Sequence, residues 1–301
     1  MKFKITLLLC LVGFTVAADT KIVFIAGPPS HGPGEHEFNA GCLLLKKCLD
    51  GVKGINAVVY TNGWPKDENA FDDAKAVVIY SDGGQAAHPL LQGDHLAKMG
   101  ELMKQGVGLA CLHYAVEPTR EHGEKELIDW IGGAYEVFRS VNPHWEADFK
   151  TLPEHPVTRG VKPFHINDEW YFNMRFRDGM EGVTPILTAI PPDSTMSRPD
   201  GDHSGNPGVR EAVKNHEPQH MAWVCTRPDG GRGFGFTGGH PHLNWADKNF
   251  RKLVLNSILW IAKVEVPKNG VSSKVTPEDL QQNLDPKGKK KSRITPPPPK
   301  L

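Results

Sequence analysis

The chain carries fourteen histidines in 301 residues, and four of them stand in the same relation to the apolar runs around them. His31 follows the run Lys21–Ile25, inside Ser30-His-Gly-Pro-Gly-Glu-His-Glu37. His88 follows Ala76–Tyr80, in the loop that begins Ser81-Asp82-Gly83-Gly84. His113 comes directly after Gly108–Leu112, and His240 follows Gly233–Thr237. Neutral imidazoles converging with a carboxylate bind zinc or a similar divalent ion through three or four ligands. Spaced more loosely, the same rings shuttle protons near neutral pH. One loop histidine is usually an ordinary polar residue, so the argument rests on four strand-end loops delivering one each. His31, His88, His113 and His240 are therefore the expected metal ligands, with His36 and His242 as their alternates and His113 and His240 as catalytic groups.

Asn167-Asp168-Glu169-Trp170-Tyr171 sets two acids beside two large aromatics. One reading makes Glu169 a general base over a sugar-stacking platform; the other makes this a strand with Trp170 in the core and its acids solvated. The first reading gives Trp170, Tyr171, Tyr114 and Arg175 as substrate contacts, although Arg175 and Arg177 also suit plain neutralisation of the acids.

These residues need a scaffold that brings strand ends together. Lys21–Ile25, Ala57–Tyr60, Ala76–Tyr80 and Gly108–Leu112 are short apolar runs closed by Gly, Asn or Ser turns, and helical stripes lie at Glu35–Leu49 and Leu90–Gln105. That alternation predicts an α/β fold with a doubly wound, mostly parallel sheet, whose ligands gather at the carboxyl ends of the strands. Met221–Cys225 and Gly233–Thr237 read as a strand pair returning to the sheet, and Asn249–Ala262 as a closing amphipathic helix.

Lys+Arg and Asp+Glu number 35 each, but residues 5–267 alone carry a balance of −7. An acidic body argues against nucleic-acid or anionic-membrane partners. Met1–Lys4, the apolar run Ile5–Val16 and Val16-Ala17-Ala18 have the order of a secretory signal peptide, too short for a stable membrane anchor. Residues 1–18 are thus expected to be removed on export to the periplasm or outside the cell, leaving a domain over 19–267. Residues 268–301, with 8 basic and 3 acidic residues and four consecutive prolines, read as a disordered, solvated tail. Cys42, Cys48, Cys111 and Cys225 form no CxxC and read as buried thiols. Gly233-Phe-Gly235-Phe-Thr-Gly238 spells G-x-G-x-x-G, yet the glycines lie inside a strand and His240-Pro241 follow, so no nucleotide is expected.

Taken in order, Lys21–Gly27 with its His-Gly-Pro-Gly-Glu-His loop, Gly106–Tyr114, Asp168–Tyr171 and Gly233–His240 with the helix ending Leu259-Trp-Ile-Ala262 resemble the ThuA-like, or trehalose utilisation, family over about residues 21–267. The resemblance implies a flavodoxin-like sheet related to class I glutamine amidotransferases. His113 would stand at the elbow where an amidotransferase carries its nucleophilic cysteine, and His240 in place of the triad histidine. Cys111 falls two residues early, inside the strand, so glutaminase activity is not expected. The resemblance associates the fold with sugar metabolism and, in some members, a bound metal; the expectation taken from the residues is a hydrolase, lyase or isomerase acting on a small-molecule carbohydrate or oxidised sugar, with a divalent metal such as zinc and a homo-oligomer as a further option. A non-catalytic sugar-binding or scaffold module, with Trp64, Trp170 and Trp245 as stacking surfaces, is the alternative.

Overall fold

The computed structural model describes residues 19–288; the expected signal peptide and residues 289–301 lie outside the described residues. Eleven strands run along the described chain: β1 (Thr20–Ala26), β2 (Ile55–Tyr60), β3 (Ala74–Tyr80), β4 (Gly108–Leu112), β5 (Gly133–Ala134), β6 (His144–Phe149), β7 (Phe164–Glu169), β8 (Arg175–Phe176), β9 (Val183–Ala189), β10 (Gln219–Thr226) and β11 (Arg232–Phe236). Seven form one sheet in the order β2-β1-β3-β4-β11-β10-β9. The pairs β2/β1, β1/β3, β3/β4 and β4/β11 are parallel, and β10 pairs antiparallel with both β11 and β9. With β11 in fifth place, the parallel strands have the doubly wound order 2-1-3-4-5, whose crevices open at the carboxyl strand ends. The sheet is thus mixed α/β and mostly parallel, with an antiparallel edge.

Period-two alternation assigns each strand's residues to two cores. Ile22, Phe24, Val78, Tyr80, Ala110 and Leu112 face α1 (Phe38–Leu49) and α6 (Lys248–Ile261). Val23, Ile25, Val77, Ile79, Leu109 and Cys111 face the layer of α3 (His95–Lys104) and α4 (Glu124–Ile131). The four-residue α2 (Gly84–Ala87) follows β3, and α5 (Pro207–Lys214) precedes β10. The helix expected from Leu90 is broken: a 3-10 turn at Pro89–Leu91 ends before Gly93, whose φ of +52° suits glycine, and α3 restarts at His95. Strands β6 and β7 pair antiparallel as a separate two-stranded sheet, with Glu169 at the end of β7.

Two expectations fail here. The closing helix α6 is not amphipathic in its surroundings, because it is buried from Phe250 to Ile261. Part of its cover, beside the turn at Pro156–Thr158, is the segment expected to be a disordered tail. Residues 268–288 lie against the body: Val271 N donates to Asn256 Oδ1 (2.8 Å), Lys252 Nζ donates to the Asn269 carbonyl (2.8 Å), and Leu280 is buried. Apolar Val271, Val275 and Leu280 are spaced too irregularly to show as an element, yet they join the core that α1 and α6 share.

The G-x-G-x-x-G letters have a packing reason. A Cβ on Gly235 would stand 2.1 Å from the Trp223 ring, and one on Gly238 would stand 2.6 Å from Trp170. These glycines admit tryptophans.

Candidate functional site

Three loops and the end of β7 bring His36, His113, His240 and Glu169 together, with all four ligand atoms within 4.8 Å of one another. His113 opens a 3-10 turn directly after β4 with φ +55°, and His36 has φ +47°. A left-handed backbone at two non-glycine residues is strain of the kind that collects at functional sites. His36 is held beside His240 by an antiparallel bridge between Glu35 and Pro241: His36 N donates to the His240 carbonyl (3.0 Å), and His242 N to that of Gly34 (2.9 Å). Asp168, fully buried, accepts from the backbone N–H of Gly239 (2.8 Å) and His240 (3.0 Å) and from Asn244 Nδ2 (2.8 Å). It pins the turn carrying His240. Burial pushes its carboxyl up to about 6, against those donors.

Hydrogen-bond partners determine which ring nitrogens carry protons. His36 Nδ1 faces Asp82 Oδ1 at 2.7 Å, and a carboxylate only accepts, so Nδ1–H donates and Nε2 is left with its lone pair. His113 Nδ1 likewise donates to the Thr237 carbonyl (2.8 Å), leaving Nε2 bare. The two bare Nε2 atoms stand 3.0 Å apart. His240 Nδ1 completes the group, 2.9 Å from His36 Nε2 and 3.0 Å from Glu169 Oε2. Glu169 Oε2 is 3.5 Å from His113 Nε2 and accepts from the Tyr171 hydroxyl at 3.3 Å. Four ligands about 2.0–2.1 Å from a tetrahedral zinc would be about 3.3–3.4 Å apart. The donor set and spacing therefore fit a divalent cation.

The electrostatics keep two of the rings neutral, whereas the His240–Glu169 pair favours charge. Burial, then the charges of His240 and His31, hold His36 far below the ordinary imidazole value; burial and the neighbouring histidines do the same for His113. Burial also works to lower His240, but the hydrogen bond and charge of Glu169 outweigh it and leave that ring raised. Burial works to raise Glu169, yet the His240 hydrogen bond and the imidazoles hold it below the usual carboxylate range.

A pocket of about 180 Å³ opens over this cluster, lined by His31, His36, Tyr114, Asn142, Glu169, Tyr171, Arg198 and His203. Asn142 Nδ2 donates to Glu169 Oε1 (3.1 Å), and Arg198 donates to Asn142 Oδ1 (2.8 Å). On the pocket wall, His203 Nε2 donates to the buried Glu117 carboxylate at 2.9 Å, a bond that raises the imidazole.

Of the expected ligands, His113 and His240 meet and two do not. His31 sits at the rim, its ring 3.6 Å from that of His36 and its Nδ1 3.7 Å from Asp82. His36, one of the alternates, takes the inner place. His88 is turned into the core with both nitrogens engaged: Nε2 donates to the Ala115 carbonyl (2.9 Å) and Nδ1 accepts from Leu90 N (3.2 Å). Burial lowers it to about 4. His242 is also buried, outside the cluster.

Among the expected substrate contacts, Tyr114 and Tyr171 line the pocket. Trp170 does not: it is wholly buried against Phe149, Phe236 and Phe250, with Nε1 donating to the Ile166 carbonyl. Arg175 pairs with Glu136 at 2.9 Å and lies off the pocket lining. Trp245 is buried and Trp64 stacks on His95. Cys111 is buried within β4, where burial pushes its thiol well up.

Sequence reasoning missed Asp82, His144, Glu117 and His203. His144, whose Nε2 is 3.9 Å from Glu169 Oε1, was readable from the alternation of His-Trp-Glu-Ala-Asp-Phe in β6, which opposes its polar set to that of β7. Glu117 and His203 lie 86 residues apart, with no local signal linking them.

A search of curated proteins finds no relative. Two of the crystal structures that share the fold illustrate the likeness. One, a putative ThuA-like protein from Bacteroides uniformis, has a TM-score of 0.57 and 14% identity over 83% of this chain and 94% of that one. The other, a putative ThuA-like protein from Parabacteroides merdae, has a TM-score of 0.55 and 15% identity over 87% of this chain and 99% of that one. The family model described as ThuA, trehalose utilisation, matches residues 32–261, a span that contains all four clustered residues and both sides of the pocket. The chain belongs to the ThuA family.

Proposed function

We propose that this ThuA-family protein is an exported, metal-assisted enzyme acting on a carbohydrate or oxidised sugar by hydrolysis, elimination or isomerisation. The observation that carries the reading is the meeting of three imidazoles and Glu169 under a small polar pocket. At about 180 Å³ the pocket is below the roughly 300–1,000 Å³ of sites for drug-sized ligands, which suits one sugar unit. Its hydroxyl, amide and guanidinium groups (Tyr114, Asn142, Arg198) match a polyol.

His36, His113, His240 and Glu169 would hold the cation, which when bound supplies Lewis acidity toward a carbonyl or hydroxyl oxygen. The protein's own groups orient and move protons. Asp82 and Thr237 fix the tautomers of His36 and His113, Tyr171 donates toward Glu169, and the Glu117-backed His203 offers a proton from the pocket wall. Positioned proton transfer is worth about 10²–10⁴-fold. The burial of Trp170 and Trp245 disfavours a silent sugar-stacking module.

The test is elemental analysis of the purified protein, with a mass-spectrometric screen of ordinary and 3-keto glycosides. Expected are one divalent ion per chain, lost in His113→Ala, and turnover lost in Glu169→Gln. A metal-free protein that binds sugars unaltered would sink the proposal. Export with cleavage after Ala18 predicts an intact mass lacking residues 1–18; a mass retaining them contradicts it.

A further inference from the structure

Residues 285–287 reach back to the loop that bears His36. Asp285 N donates to Glu37 Oε2 at 2.8 Å, and Asn39 Nδ2 donates to Asp285 Oδ1 at 2.8 Å. Lys287 Nζ pairs with Glu37 Oε1 at 3.3 Å and donates to the backbone carbonyls of Glu35 and His36, the latter at 3.1 Å. Glu37 Oε1 also accepts from Gly34 N at 2.8 Å. The side chains of Lys287 and Glu37 are only 5% and 1% exposed.

Burying an ion pair carries a desolvation cost that good geometry barely offsets, so such a pair is weak evidence of stabilisation and better evidence of a specified arrangement. Here the arrangement is the backbone on both sides of one residue. Glu37 holds the turn before His36 at Gly34, Lys287 holds the His36 carbonyl, and His36 keeps a left-handed φ of +47°. The family match ends at residue 261, so this anchor comes from chain beyond it.

We propose that Lys287 is a positioning residue that, with Glu37, locks the 34–37 turn and aims His36 Nε2 at His113 and His240. The inference rests on the reading of those residues as a cation site. Partners of this kind, one step removed from the ligand, are typically worth 10–100-fold in metal affinity.

The test uses full-length protein carrying Lys287→Met, with Lys287→Gln as a milder variant should the first fail to fold. Cobalt(II) is the probe, read by its visible absorption, alongside hydrogen exchange of the Gly34 and His36 amides in metal-free protein. Expected are cobalt binding weakened about 10–100-fold, an altered cobalt spectrum, and faster exchange at those amides with β10 unchanged. Wild-type affinity, spectrum and exchange in the variant would overturn the proposal, as would loosening spread equally to β10. If wild-type protein binds no cobalt, the cation reading fails and exchange alone decides: unchanged protection at Gly34 and His36 rejects Lys287.

Discussion

At His36 the two ring nitrogens have opposite duties, one donating to Asp82 and the other left bare toward His113 and His240. His36→Ala is expected to abolish stoichiometric divalent-ion binding, whereas His31→Ala, at the rim, should weaken it by no more than the roughly 10–100-fold of a residue one step removed from the ligands. Elemental analysis of both variants checks this, and equal loss would restore His31 as a ligand. The two histidines share one short loop, and the bridge from Glu35 to Pro241 sets His36 beside His240; that pairing joins segments some 200 residues apart and leaves no local trace. His88 was misread for a related reason, because a strand-end loop can also turn a histidine inward. Unfolded, His88 binds a proton near pH 6.5; folded, burial lowers that to about 4. The unfolded chain therefore holds more protons between these values, and the wild type loses stability as pH falls through them, by about 1.4 kcal/mol per unit. His88→Gln lacks this term. Its stability deficit should shrink by about 3 kcal/mol from pH 6.5 to 4, in urea titrations of metal-free protein; a deficit independent of pH would contradict the assignment.

The parallel strands were legible because a strand covered on both faces must be apolar throughout, and Lys21–Ile25, Ala76–Tyr80 and Gly108–Leu112 are short runs bounded by turns. The carboxyl-edge location of the site follows from that topology, which is why His113 and His240 could be named from sequence. Trp170 was harder, since an aromatic beside acids reads equally as platform or core. Its place became decidable only with Gly238, whose missing side chain makes room for the indole. The same relation holds between Gly235 and Trp223, and it yields a prediction for β11. Gly235→Ala would put a methyl 2.1 Å from the Trp223 ring, an overpacking expected to cost about 1–3 kcal/mol or more. Chemical denaturation should show the loss. Gly230→Ala, at a turn where a Cβ meets nothing within 4 Å, has no such clash, and its positive φ of 78° leaves only a local backbone strain of about 1–2 kcal/mol. If Gly235→Ala proved the more stable of the two, the packing account of these glycines would be wrong.

Across the molecule, charge and hydropathy separate a body from a Lys- and Pro-rich end, but the boundary does not fall at Pro267. Val271 and Leu280 are 1% and 7% exposed, and Asn256 of α6 spends its amide oxygen on Val271 N. A polar-looking segment can be structural when its few apolar residues reach the core of the body. A chain ended after Pro267 should therefore strip the Asn256 side of α6 of part of its cover and expose the core beneath Val271 and Leu280. Losing two buried aliphatic side chains costs about 1.5–3 kcal/mol each, before the Asn256 and Lys252 hydrogen bonds are counted. For a domain of this size each kcal/mol moves the melting temperature by about 2–4 °C, so a fall of roughly 6–24 °C is expected. A chain ended after Gly288 keeps Val271, Leu280 and the Lys287 contacts, and should melt within a few degrees of the full chain. Thermal unfolding of the two shortened chains beside the whole one makes the comparison. Equal melting of all three would mean that residues 268–288 rest on the body without supporting it, and the covering of α6 would carry no weight in its stability.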